Sequence, residues 1–148
     1  MKVETTRFGR VQVDDDRIVT FATGLLGFSE YQRFALLQPD DDGLFFWLQS
    51  VDSPELAFVV TDPTVWLEEY QATIRQEQMA ELSITSLKDV QVLVLVNRYE
   101  GTLTANMQGP LVINIHTRHG MQLVLAEKKW TTRHTIVELE TKNRALSA

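Results

Sequence analysis

Val90-Gln91-Val92-Leu93-Val94-Leu95-Val96 is the stretch on which the fold turns. Its β-branched and leucine residues are stiff side chains that pack well on a pleated surface. A nearly unbroken apolar run reads as a central strand covered on both faces rather than an alternating one with a wet face. It is also far short of the roughly 20 apolar residues a membrane-spanning helix needs. Working outward, shorter runs of the same kind recur between turn residues. Arg10-Val11-Gln12-Val13 alternates, Asp14-Asp15-Asp16 breaks it, and Arg17-Ile18-Val19-Thr20-Phe21 resumes. Residues 33–37, 44–50, 56–61, 111–115 and 121–125 continue the series, and Thr117-Arg118-His119-Gly120 reads as the turn of a hairpin. The fold class is therefore mainly β: a small closed or partly closed antiparallel β-barrel with one or two short helices.

Residues 64–82 carry Val65, Trp66, Tyr70, Ile74, Met79 and Leu82, a spacing compatible with one helix. Ala72-Thr73-Ile74 is better strand material, so we divide the stretch into a turn after Pro63, a strand near 70–74 and a short helix over Gln76 to Leu82. Residues 142–148 lack apolar periodicity and read as a frayed tail, leaving 1–148 as a single domain.

The chain has 148 residues, of which 44% are hydrophobic and 23% charged, an ordinary composition for one globular domain. It has no cysteine, which removes thiol nucleophiles, zinc ribbons, iron–sulfur clusters and disulfides together. The net charge of −6 opposes a primary role in gripping nucleic acid, where neutralising phosphates dominates affinity. That charge is unevenly placed. Residues 1–74 hold 13 acids and 5 bases, a net of −8, whereas residues 75–148 hold 7 acids and 9 bases, a net of +2. An acidic half fits a basic partner, or only a solvated face. The polar start Met1-Lys2-Val3-Glu4-Thr5-Thr6-Arg7 has no apolar core of a signal peptide, and a cytoplasmic protein is expected.

Tests for chemistry mostly fail. His116 and His119 are spaced H-x-x-H but straddle a strand end, without the H-E-x-x-H context of a zinc protease. The triplets Asp14–Asp16 and Asp40–Asp42 lack the calcium-loop pattern and read as wet turns. Gly24-Leu25-Leu26-Gly27 has the G-x-x-G form of a backbone clamp for nucleic acid, yet no base lies inside it. We read its glycines as permitting a tight turn, with Leu25, Leu26, Phe21 and Phe28 anchoring it in the core. No cofactor or metal is expected, and an interaction module is favoured over an enzyme. The alternatives are a small β-barrel ligand carrier or hydrolase with a pocket the sequence does not reveal, and a self-associating structural subunit.

Three blocks, taken in order and spacing, resemble a known family. They are Phe21-Ala22-Thr23-Gly24-Leu25-Leu26-Gly27-Phe28; then Trp47-Leu48-Gln49-Ser50-Val51-Asp52 continuing through Leu56-Ala57-Phe58-Val59-Val60 to Asp62-Pro63; and Thr104-Ala105-Asn106-Met107-Gln108-Gly109-Pro110 running to Asn114, followed by Gly120-Met121-Gln122. Together they resemble the flagellar assembly factor FliW family, from about residue 6 to about 130. The middle block is the most specific. The third departs from the family's commoner A-N-L-K-A-P-like run at Met107-Gln108-Gly109, losing a lysine.

The resemblance implies a small cytoplasmic β-barrel without catalysis that has two alternative partners. One is flagellin before its export. The other is CsrA, a basic RNA-binding homodimer that represses translation. FliW freed by flagellin export antagonises CsrA at a surface away from its RNA-binding face, and neither membrane nor nucleic acid is contacted directly. On that reading Asp52 and Glu55, with Asp40, Asp41 and Asp42, are candidates for a CsrA-facing surface, and Trp66, Glu68 and Glu69 for a flagellin-facing one. Flagellin termini are amphipathic helices, for which an apolar groove is the expected counterpart. Trp47 is expected in the core and Trp66 exposed, while Asn106 and Asn114 are expected to fix turns by bonding backbone.

Overall fold

The computed structural model describes residues 1–38 and 43–139. Asp40, Asp41, Asp42 and the tail from 142 lie outside the described residues. The strands are β1 (Lys2–Thr5), β2 (Gly9–Gln12), β3 (Ile18–Phe21), β4 (Arg33–Leu37), β5 (Phe46–Ser50), β6 (Ala57–Thr61), β7 (Val90–Tyr99), β8 (Thr102–Ala105), β9 (Leu111–Asn114), β10 (His119–Gln122) and β11 (His134–Glu138). One short helix, α1 (Gln76–Glu81), and three 3₁₀ turns complete the elements of the described residues.

The Val90–Val96 run forms the greater part of β7, which is central as its composition requires. It pairs with β6 through Val94–Val96, with β8 through Val96–Tyr99 and with β9 through Val90–Leu93. The order β7-β6-β5-β4-β3-β10-β9 therefore closes on itself through the β9–β7 pairing, giving a seven-stranded barrel. All of its pairings are antiparallel except β3 with β10, where Phe21 lies beside Gly120. Closure removes most free sheet edges.

Alternation along β7 supplies both layers of packing. Leu93 points into the barrel with Phe21, Phe34, Leu48, Leu111 and Ile113, a cluster of fully buried side chains. Val94 points out, under Tyr70, Leu82, Ile84, Met107, Leu123 and Trp130 from the segments that wrap that wall. A third cluster, Val3, Val13 and Ala35, lies where the β1–β2 hairpin covers the outside of β4. The wall is thus covered on both faces at Leu93 and Val94, which is why no polar alternation marks the middle of that run.

Four local expectations need correction. Residues 70–74 form no strand: burial alternates along them, but no neighbouring strand among the described residues supplies a ladder. The β9–β10 hairpin turns two residues earlier than expected, so Gly120 lies inside β10 and Arg118 is the residue with positive φ, at 60°. Gly120 is needed for space instead: a Cβ there would lie 2.9 Å from both the Phe21 ring and the Val112 carbonyl. Of the two leucines in the G-x-x-G turn, Leu25 is buried but Leu26 is exposed, and Phe28 sits at the surface against Phe58. Trp47 also departs from expectation. Its register partner is Leu37, on the outer face, and its ring is only half-buried beneath Phe8 and Arg7.

Candidate partner-binding surfaces

The middle sequence block builds a rigid, exposed turn between β5 and β6. Gln49 is fully buried, and its side-chain amide lies 3.1–3.3 Å from the carbonyls of Ser50, Ser53, Pro54 and Leu56. Ser50, also fully buried, accepts from the N–H groups of Asp52 (3.2 Å) and Ser53 (2.9 Å). The Thr6 N–H donates to the Pro54 carbonyl at 3.0 Å, tying the turn to the β1–β2 hairpin. Gln49 and Ser50 face inward so that Asp52 and Glu55 can face solvent. Asp52 lies 3.3 Å from Arg33 Nη2; both groups are about half exposed, so this pair adds little stability and leaves the carboxylate accessible.

Asp62 and Pro63 close the same block. Asp62 Oδ1 accepts from the Thr64 N–H at 2.9 Å, and buried Pro63 starts the 3₁₀ turn where its missing donor is harmless. Trp66 follows, and the structure corrects its expected exposure. It is half-buried, its ring 5.7 Å from that of Phe45 and its Nε1–H donating to Thr61 Oγ1 at 3.0 Å. Glu68 and Glu69 beside it are exposed.

The first and third blocks, far apart in sequence, meet at one point. Gln122 Oε1 accepts from the Leu26 N–H at 2.9 Å, while Gln122 Nε2 donates to the Gly109 carbonyl at 3.0 Å. Asn106 Oδ1 accepts from the Gly109 N–H at 2.9 Å, and Pro110 is buried behind it. Gly24 has φ of 71°, and a Cβ there would lie 2.6 Å from Ser29 Cα, which leaves glycine as the fitting residue. Buried Asn114 donates to the Leu82 carbonyl at 2.8 Å and accepts from the His116 N–H at 2.9 Å, pinning the end of α1 to the barrel. The two asparagines therefore do bond backbone. The sequence blocks are largely the polar fasteners of three turns, with Asp52, Glu55, Leu26 and Gly27 as their exposed tips.

His116 Nε2 is 3.1 Å from Asp89 Oδ1, and His119 is exposed at the start of β10. Among the described residues no group of three or more His, Asp or Glu is placed to hold a metal ion. No described helix is long and apolar enough to cross a membrane.

Comparison with known proteins agrees with this geometry. The family model described as FliW protein matches residues 2–136. A protein of Natranaerobius thermophilus called flagellar assembly factor FliW is 37% identical over 139 residues, covering 92% of each chain. One of the same name from Treponema denticola is 37% identical over 147 residues, covering 97% of this chain and 99% of its own. A crystal structure of the flagellar assembly factor FliW superposes with a TM-score of 0.83 at 34% identity, over 92% of this chain and 96% of that one. With its blocks, its closed barrel and its full-length matches in agreement, the chain belongs to the FliW family.

Proposed function

We propose that this chain is a cytoplasmic flagellar assembly factor that works by stoichiometric binding, not catalysis: it holds flagellin before export and, once free, binds and antagonises CsrA. The observation that carries the reading is the turn of Asp52 and Glu55, exposed at its tips and immobilised from beneath by Gln49 and Ser50. A preformed acidic turn meets a basic dimer without first losing conformational entropy, and it steers the encounter electrostatically. The net of −8 over residues 1–74 acts in the same sense. A barrel interior filled by side chains favours a binding module over a ligand carrier. Glu68 and Glu69, exposed beside half-buried Trp66, are the proposed flagellin-facing edge.

Titration calorimetry with purified CsrA at two salt concentrations tests this. Asp52→Lys combined with Glu55→Lys weakens binding, most strongly at low salt, and leaves the thermal midpoint in place. Unchanged affinity removes the turn from the interface. Pull-down of neither flagellin nor CsrA by the parent protein overturns the reading as a whole.

A further inference from the structure

Two main-chain edges face one groove on the outside of the barrel. The first is the segment expected as a strand. Tyr70, Ala72 and Ile74 turn inward while Gln71, Thr73 and Arg75 are exposed, the period of two that marks an extended chain. No N–H or C=O of residues 71–74 is hydrogen-bonded among the described residues. The second edge is the first half of β7. Val90–Leu93 pair with β9 on one side, but β6 ends at Thr61, opposite Val94, so among the described residues the other side has no strand.

The groove has a volume of about 560 Å³, and its lining includes Tyr70, Ala72, Ile74, Met79, Val90 and Val92. Leu87, 67% exposed, stands at its mouth. Residues 62–90, which form most of its walls, carry six acids (Asp62, Glu68, Glu69, Glu77, Glu81 and Asp89) against two bases, Arg75 and Lys88.

We propose that this groove takes an extended, basic peptide segment of a partner by strand addition. The segment's apolar side chains alternate into the groove, and its Lys or Arg residues meet the acidic excess of residues 62–90. Unpaired strand edges are ready templates for main-chain pairing, and alternate side-chain pockets then give specificity. A helix laid in the groove satisfies its own main chain and leaves both edges bare. A second copy of this chain brings the same acidic excess over residues 62–90 and is repelled by it. The proposal goes beyond the identity of the partners and does not depend on it.

A random 12-residue peptide display library selected on the folded protein tests it, with recovered peptides measured by fluorescence anisotropy and amide hydrogen exchange. Expected are peptides with alternating apolar residues and net positive charge. Bound, they slow exchange of amides in 71–74 at least tenfold. N-methylation of one peptide amide that pairs with the edge weakens binding about fivefold, one net hydrogen bond. Ile74→Lys weakens binding at least tenfold. Should that variant not fold, Leu87→Lys at the exposed mouth places the same charge there. Recovered peptides that are acidic or helical, binding without protection of 71–74, or the recovery of no peptide overturns the proposal.

Discussion

Gln49→Glu changes one atom of the side chain and turns a donor into an acceptor where four carbonyl oxygens stand within 3.1–3.3 Å. An amide has two hydrogens, so Gln49 makes at most two of those bonds at once, together about 2 kcal/mol. The carbonyls of Ser53, Pro54 and Leu56 keep second donors from Leu56, Thr6 and Ser50, so losing Gln49 does not leave them bare. Gln49 Oε1 is buried without a partner among the described residues, and its removal recovers about 1 kcal/mol. Gln49→Leu is therefore a mild change, about 1 kcal/mol. Gln49→Glu is not. A fully buried carboxylate facing carbonyls is held protonated, its pKa raised above the unfolded value of about 4.3.

The sign follows from linkage. With the folded pKa raised, the unfolded chain binds fewer protons, so the stability present below about pH 4.3 is lost as pH rises. Relative to the parent, the glutamate variant is close to the leucine variant near pH 4.3. It then loses about 2.7 kcal/mol between pH 5 and pH 7 while the folded carboxyl stays neutral. Urea unfolding followed by tryptophan fluorescence, run on parent, Gln49→Leu and Gln49→Glu at both pH values, reads this directly. A glutamate variant whose deficit is the same at pH 5 and pH 7 refutes the buried-donor account of Gln49.

Gly24→Ala sets a Cβ 2.6 Å from Ser29 Cα at φ of 71° and costs about 3 kcal/mol, a fall of roughly 6–12 °C in thermal midpoint for a domain of this size. Gly27→Ala meets nothing within 4 Å at φ of 83° and costs only about 1 kcal/mol of backbone strain, so equal midpoints for the two variants sink the packing argument. Tyr70→Phe loses the bond from its buried hydroxyl to the Met107 carbonyl at 2.6 Å and lowers stability by about 1–2 kcal/mol in urea titration. Burial, and secondarily the Glu127 carboxylate, push the Tyr70 phenol well above the usual tyrosine value. Its contribution is therefore whole below about pH 10 and lost as pH rises further, and the variant shows less alkaline loss of stability than the parent. Gln122→Ala frees the Leu26 and Gly109 turns together and speeds amide exchange at Leu26, which a purely local role for Gln122 does not produce.

Much of the fold was legible because hydrophobic patterning is local. Val90–Val96 announced a central strand, the acidic and glycine turns separated β2 to β6, and Gln76 to Leu82 located α1, where Gln78 reaches back to the Arg75 N–H at 2.8 Å. β1, β8 and β11 carry no such local signal. They are four or five residues long with no more than two apolar residues each, and they are strands because a neighbour offers them a ladder. Trp47 and Trp66 depart from expectation for a related reason: aromatic character does not say which face of a strand it occupies, or that Thr61 stands ready for an indole N–H.

What the sequence alone determined is the class, a cysteine-free acidic β-barrel, and the blocks that assign it to FliW. Those follow from composition, periodicity and residue identity. What only the tertiary structure decided is which polar residues are fasteners and which are exposed tips. Gln49 and Asp52 stand three positions apart in one block; one is sealed among carbonyls and the other faces water. The same holds for Gln122, whose partners lie 96 and 13 residues away. Closure of the barrel brings such groups together, and no local pattern records a contact that depends on closure. The open edge at 71–74 shows the converse: a strand-like sequence becomes a strand only when another chain segment lies beside it, and within the described residues none does.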